Sequence, residues 1–197
     1  MISVWFKLAY TAFVLWVLVL WLKHYGWRNL LWFSDIALLG AVPALWLDSA
    51  PLASVLAVAV LIPELMWNLD LLLRLALRRR VSGLTEYMFE SERLRILRLL
   101  SLFHVPLPLL LLWMLWEYGY AAEVALPGAM LLAAIALPAS RVFGSPEENI
   151  NWTYGLGWAQ QRFSPVAYVT GLYLGFVVLL FVPTDWLLRR LFPLAGA

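Results

Sequence analysis

Residues 52–76 read LASVLAVAVLIPELMWNLDLLLRLA, and this stretch decides the class of fold. A helix needs roughly 20 apolar residues to cross a hydrocarbon layer about 30 Å thick. The stretch has that length, with Glu64, Asp70 and Arg74 as its ionisable residues. Working outward, the same pattern recurs at 4–22, 30–47, 99–118, 124–143 and 166–188. These spans predict an all-α, polytopic membrane helix bundle of about six transmembrane helices in a single domain over 1–197. Composition agrees: 64% of residues are hydrophobic, 13% are charged and the mean hydropathy is +0.83. Soluble domains are about 45–50% apolar and about 25% charged. The balance therefore excludes a disordered chain and a water-soluble enzyme. The absence of cysteine excludes disulfides, thiol nucleophiles and thiolate metal sites.

Orientation follows from the loops, because Lys and Arg accumulate on the cytoplasmic side. Lys23 and Arg28 follow the first span, Arg78, Arg79, Arg80, Arg93, Arg95 and Arg98 the third, and Arg141 and Arg162 the fifth. The loops after spans two and four carry Asp48, Glu117 and Glu123 instead. The odd loops are thus expected in the cytoplasm and both termini outside, with Lys7, Arg189 and Arg190 as the opposing minority. The first span lacks a basic leader and a small-residue cleavage site, so it reads as a span rather than a signal peptide. Most of the tryptophans fit interfacial belts. Residues 85–98 mix apolar and charged side chains and predict a short interfacial helix, while 144–164 is a long polar loop of a kind that is more often functional than connecting. Asn151-Trp152-Thr153 matches a glycosylation pattern but falls on the cytoplasmic side. Prolines 43, 63, 106, 108, 127, 138 and 183 lie within spans, where proline is frequent. Ala125, Gly128, Ala129, Ala133 and Ala134, and the pair Gly171 and Gly175, are expected to let helices pack closely.

Ionisable residues inside a membrane are costly and point to function. Ser34 and Asp35 in span two, Glu64, Asn68, Asp70 and Arg74 in span three, Ser101 and His104 in span four, and the loop residues Asn149, Asn151 and Trp152 all fall toward the cytoplasmic half. Glu64 and Asn68 share one face of their helix, and Asp70 and Arg74 another. That spacing predicts an Asp70–Arg74 ion pair within the helix, the alternative being that both line a site. His104 with Asp35 or Glu64 suits general acid–base chemistry, since imidazole titrates near neutrality and a carboxylate fixes its tautomer. The other reading is a His104 bonded to a backbone carbonyl freed by Pro106 or Pro108. His104, Asp35 and Glu64 could hold a single divalent metal, although His24 is the one other histidine and no metal-binding or cofactor motif is present.

The motifs 33–35 (FSD), 67–70 (WNLD), 83–89 (GLTEYMF), 101–108 (SLFHVPLP) and 148–152 (ENINW) together resemble a family of small uncharacterised bacterial multi-pass membrane proteins. The resemblance implies that these motifs belong together, and it carries no activity. The expected location is the bacterial cytoplasmic membrane. Three functions fit the residues. The first is an inner-leaflet site handling a lipid or other lipophilic molecule. There His104, Asp35 and Glu64 would act, and Asn68, Asp70, Arg74, Ser101, Asn149, Asn151 and Trp152 would bind. The second is an accessory subunit packed against other membrane subunits or its own copies. The third is a small transporter, disfavoured by the lack of internal repeats and of polar groups in the outer half. Membrane lipids are the expected partners. Nucleic acid is not, because the basic residues follow the positive-inside pattern.

Overall fold

Long apolar segments can satisfy their backbone amides without water only as helices. The computed structural model describes residues 2–156 and 159–195, and these are helical with no β-strand among them. The elements are α1 (Val4–His24), α2 (Phe33–Trp46), α3 (Ala50–Leu77), α4 (Arg95–Leu100), α5 (Pro106–Tyr118), α6 (Ala122–Phe143), α7 (Pro165–Gly175) and α8 (Val182–Leu191). A 3₁₀ turn (Ser101–His104) joins α4 to α5, and a π-helical turn (Phe176–Phe181) joins α7 to α8. Counting these joined segments as one each, five helical stretches are long and apolar enough to cross a membrane: Val4–His24, Ala50–Leu77, Arg95–Tyr118, Ala122–Phe143 and Pro165–Leu191. The sixth, α2, has 14 residues and is shorter.

The chain runs up and down between two ends. At one end Lys7 Nζ donates to Asp48 Oδ1 at 2.6 Å, which ties the start of α1 to the α2–α3 loop and holds the Asp48 carboxyl below its ordinary range. Ser54 Oγ accepts from Ala121 N, and Tyr120 N donates to Pro193 O, bringing the α5–α6 loop and the last residues to the same end. At the other end Arg28 pairs with Glu148 at 3.1 Å, and Arg93 reaches the Tyr25 hydroxyl at 2.9 Å. The basic loops anticipated on one side therefore do gather together.

α3 is the central helix, packed on α2, α5 and α6. On the α6 side of the α3–α6 seam the residues are small: Ala125, Ala129 and Ala133 are fully buried. Gly128 is required there, since a Cβ would collide with Val55. The expectation for Gly171 and Gly175 fails. No atom lies within 4 Å of a Cβ built at either, so they leave open space and pack against nothing.

Two other expectations are corrected. Residues 85–98 do not form one interfacial helix; a 3₁₀ turn (Glu86–Phe89) and an irregular stretch precede α4. The second span does not begin as a helix at residue 30. Trp27–Leu31 is a 3₁₀ turn, and α2 starts only at Phe33 because Asn151 reaches across from the long loop. Asn151 Oδ1 accepts from Phe33 N at 3.1 Å, and its amide nitrogen donates to Leu31 O and Ser140 Oγ. At about 1.5 Å per residue, α2 covers only roughly 21 Å.

Candidate functional site: a cleft walled by Glu64 and His104

The short α2 leaves room at one end of the bundle. A cleft of about 1320 Å³ opens there, bounded by α1, α2, the middle of α3, the turn before α5, the loops around 80–93 and 147–156, and α7 with its π turn. Its walls are mostly aromatic and aliphatic, and a few buried polar groups interrupt them. Gly171 and Gly175 line it, which accounts for their empty surroundings. The wider π turn places the buried Phe176 in the same wall, and such turns recur at functional sites.

Glu64 lies in the deep wall, 2% exposed, and its Oε2 is 2.8 Å from His104 Nδ1. Nδ1 is thus the ring nitrogen engaged by Glu64, and Nε2 is left for other use. Nε2 has no hydrogen-bond partner among the described residues. The imidazole is clamped between two rings, Trp67 at 4.4 Å and Phe103 at 4.1 Å between centroids, both stacked on it. Trp67 is itself held by its Nε1, which donates to the Tyr87 hydroxyl at 3.2 Å. Burial pushes the Tyr87 phenol well above its ordinary value, so it stays neutral. The imidazole is thus held in a fixed plane with its Nδ1 edge on Glu64.

His104 is bonded by its ring to Glu64, not to a carbonyl freed by proline. The freed carbonyl is nevertheless real. Pro108 has no N–H to give the His104 oxygen, and Asn68 supplies the missing donor at 2.7 Å. Asn68 spends its other amide hydrogen on Glu64 O at 2.8 Å. It therefore braces both halves of the couple from behind and does not line the cleft.

Asp35 lines the cleft at 3% exposure, and its carboxylate accepts from Asn29 Nδ2 at 2.7 Å rather than from His104. Asp70 and Arg74 lie outside the cleft and do not form the ion pair that their spacing predicts. Asp70 takes four hydrogen bonds from Ser82 and Thr85, between 2.6 and 2.9 Å. Arg74 instead covers the Phe89 ring at 4.7 Å. Loop donors outcompeted the in-helix cation because they deliver two backbone amides and two hydroxyls to one carboxylate.

Ser101, Asn149, Asn151 and Trp152 all reach the cleft wall, but three of them have structural work. Ser101 Oγ donates back to Leu97 O. Asn149, with φ 41°, bonds Gly155 O and Tyr154 N. Asn151, 1% exposed and at φ 52°, is the staple on α2. Trp152 presents its ring, 6.2 Å from both Trp32 and Phe176. Residues that sequence reasoning passed over as site members are Trp67, Phe103, Tyr87 and Asn29. Trp67 stands three positions after Glu64, and that spacing could have placed it beside the carboxylate.

Among the described residues no group of three His, Asp or Glu side chains converges as a metal site would require. Asp35, Glu64 and His104 therefore share a cleft without forming a ligand set. Around the mouth, opposite charges are already matched: Arg80 with Glu86 at 3.0 Å, Arg93 with Glu90 at 3.0 Å and Arg28 with Glu148 at 3.1 Å. The chain matches no protein-family model, no curated protein and no solved structure.

Proposed function

We propose that the protein is a polytopic membrane protein whose cleft opens toward the cytoplasmic leaflet and binds or processes a lipid or other lipophilic small molecule. Five apolar stretches of spanning length and a basic end favour that placement. The observation that carries the reading is the Glu64–His104 couple, with Nε2 unengaged, set in the wall of a large and mostly apolar cleft. A buried polar pair in an apolar cavity is the usual form of a small-molecule site. In a processing role His104 Nε2 is the general base and Glu64 orients it. An amphiphile entering from the bilayer keeps its chain against α7 and brings its polar end to the wall that holds Asp35 and His104.

The test is photo-crosslinking with a phospholipid that carries a diazirine in its acyl chain, on protein reconstituted in lipid nanodiscs. Adducts are expected on the cleft face of 165–180. They should fall several-fold in Gly171→Leu, which fills the cleft without a clash because that position faces open space. His104→Ala should abolish any turnover of the bound lipid while sparing the adducts. Adducts spread over the outer apolar surface and indifferent to Gly171→Leu would overturn the reading and favour an accessory subunit.

A further inference from the structure

We infer that the cleft selects a lipophilic organic cation, an amine or quaternary-ammonium headgroup seated on Asp35 against an aromatic wall; this rests on the cleft being a ligand site, as proposed above. Asp35 is 3% exposed and lies in the cleft wall, and among the described residues the one group that bonds it is the neutral amide of Asn29 at 2.7 Å. No ion pair among the described residues reaches it. The arginines that line the cleft are committed elsewhere, Arg80 to Glu86 and Arg93 to Glu90, and the His104 ring is bonded to Glu64. A buried carboxylate without a counter-ion either takes up a proton or recruits a cation from outside.

The surroundings of Asp35 favour a particular kind of cation. Phe33 precedes it by half a turn and stacks with Phe176 at 5.3 Å, and Trp32 and Trp152 meet edge to face at 6.2 Å. All four rings line the cleft, and Trp152 and Phe176 join the two pairs into one wall at 6.2 Å. Ring faces carry negative potential and attract alkylated ammonium groups, which lose little hydration on entering an apolar site. A carboxylate sharing one cleft with such rings is complementary to charge and to greasy substituents at once. An anionic headgroup would meet the reverse: a carboxylate in the wall and rim arginines already paired.

Two probes of nearly the same shape and opposite charge decide the matter, tetraphenylphosphonium and tetraphenylborate, measured by equilibrium dialysis against the full chain in a neutral maltoside detergent. The wild type should hold the phosphonium at least about tenfold more tightly than Asp35→Asn does, with borate binding no weaker in the variant than in the wild type. Asp35→Asn keeps an oxygen for Asn29. Phe176→Leu supplies a second variant that keeps the carboxylate, and it should weaken the phosphonium selectively. Equal phosphonium affinity in wild type and Asp35→Asn, or borate held as tightly as phosphonium by the wild type, would overturn the headgroup inference. Lipid adducts in the cleft alongside that result would leave the cleft itself standing as a lipophile site. Loss of both probes and of the adducts would remove the cleft reading together with this one.

Discussion

Glu64 and Asp70 sit on the same helix, both carboxylates and both nearly sealed, at 2% and 5% exposure. Their surroundings give them opposite uses. Asp70 receives two backbone amides and two hydroxyls from Ser82 and Thr85, all within 2.9 Å. Its acceptor capacity is met by one loop, and its side chain is not among those lining the cleft. Glu64 is bonded by a titratable ring in the wall of a cleft. Burial alone therefore does not mark a functional carboxylate. What separates the two is whether the partner can change protonation and whether space lies beside it. The glycines repeat the lesson, since Gly128 is pressed against Val55 while Gly171 faces nothing.

The sharpest way to break the comparison is Asp70→Ala. Four donors would lose a charged acceptor at once, and hydrogen bonds to a charged group contribute about 1.5–3 kcal/mol each before relaxation. We expect a loss of roughly 3 kcal/mol or more in denaturation midpoints measured in detergent micelles, together with faster tryptic cleavage at Arg78, Arg79 and Arg80. A loss under about 1 kcal/mol would mean that the loop is held by other contacts and that Asp70 is free for chemistry.

The pattern of what was legible follows from the same physics. Span length and apolarity report directly on helices, so the long stretches were readable to within a few residues. The shortness of α2 was not, because its cause is Asn151, far along the chain and carrying no periodic signal. The acid and the imidazole of the couple were readable as ionisable residues at similar depth, but Asp35 and Glu64 were equal candidates as partner. Helical spacing assigns faces and not neighbours across helices. For the same reason Asp70 was assigned to Arg74, its in-helix neighbour, when the winning donors came from a loop whose fold no spacing rule describes. Gly171 and Gly175 look like packing positions in sequence because a missing side chain signals closeness and emptiness equally.

Glu64→Gln tests the other half of the comparison with a smaller effect on stability. Gln retains an oxygen for Nδ1, and the ring stays between Trp67 and Phe103, so a loss of only about 1 kcal/mol is expected. The informative readout is the imidazole itself. The chain has 2 histidines, so ¹⁵N spectra of a His24→Gln background report His104 alone. The wild type should show hydrogen on Nδ1, and Glu64→Gln should show both tautomers, because an amide can donate as well as accept. An Nε2–H tautomer in the wild type would contradict the dyad and leave Glu64 as buried as Asp70 but without its role.

Arg74→Leu carries the smallest expected effect and the cleanest contrast. If helical spacing decided pairing, removing this cation would strand a buried carboxylate, at roughly 3–5 kcal/mol. The guanidinium instead lies over Phe89, and an exposed cation–π contact is worth about 0.5–1 kcal/mol. Denaturation should therefore shift by no more than that. Combining Arg74→Leu with Asp70→Ala should give additive losses, since the two share no contact. Strong coupling would restore the ion pair, and with it the reading that Asp70 answers to its own helix rather than to the loop that closes over it.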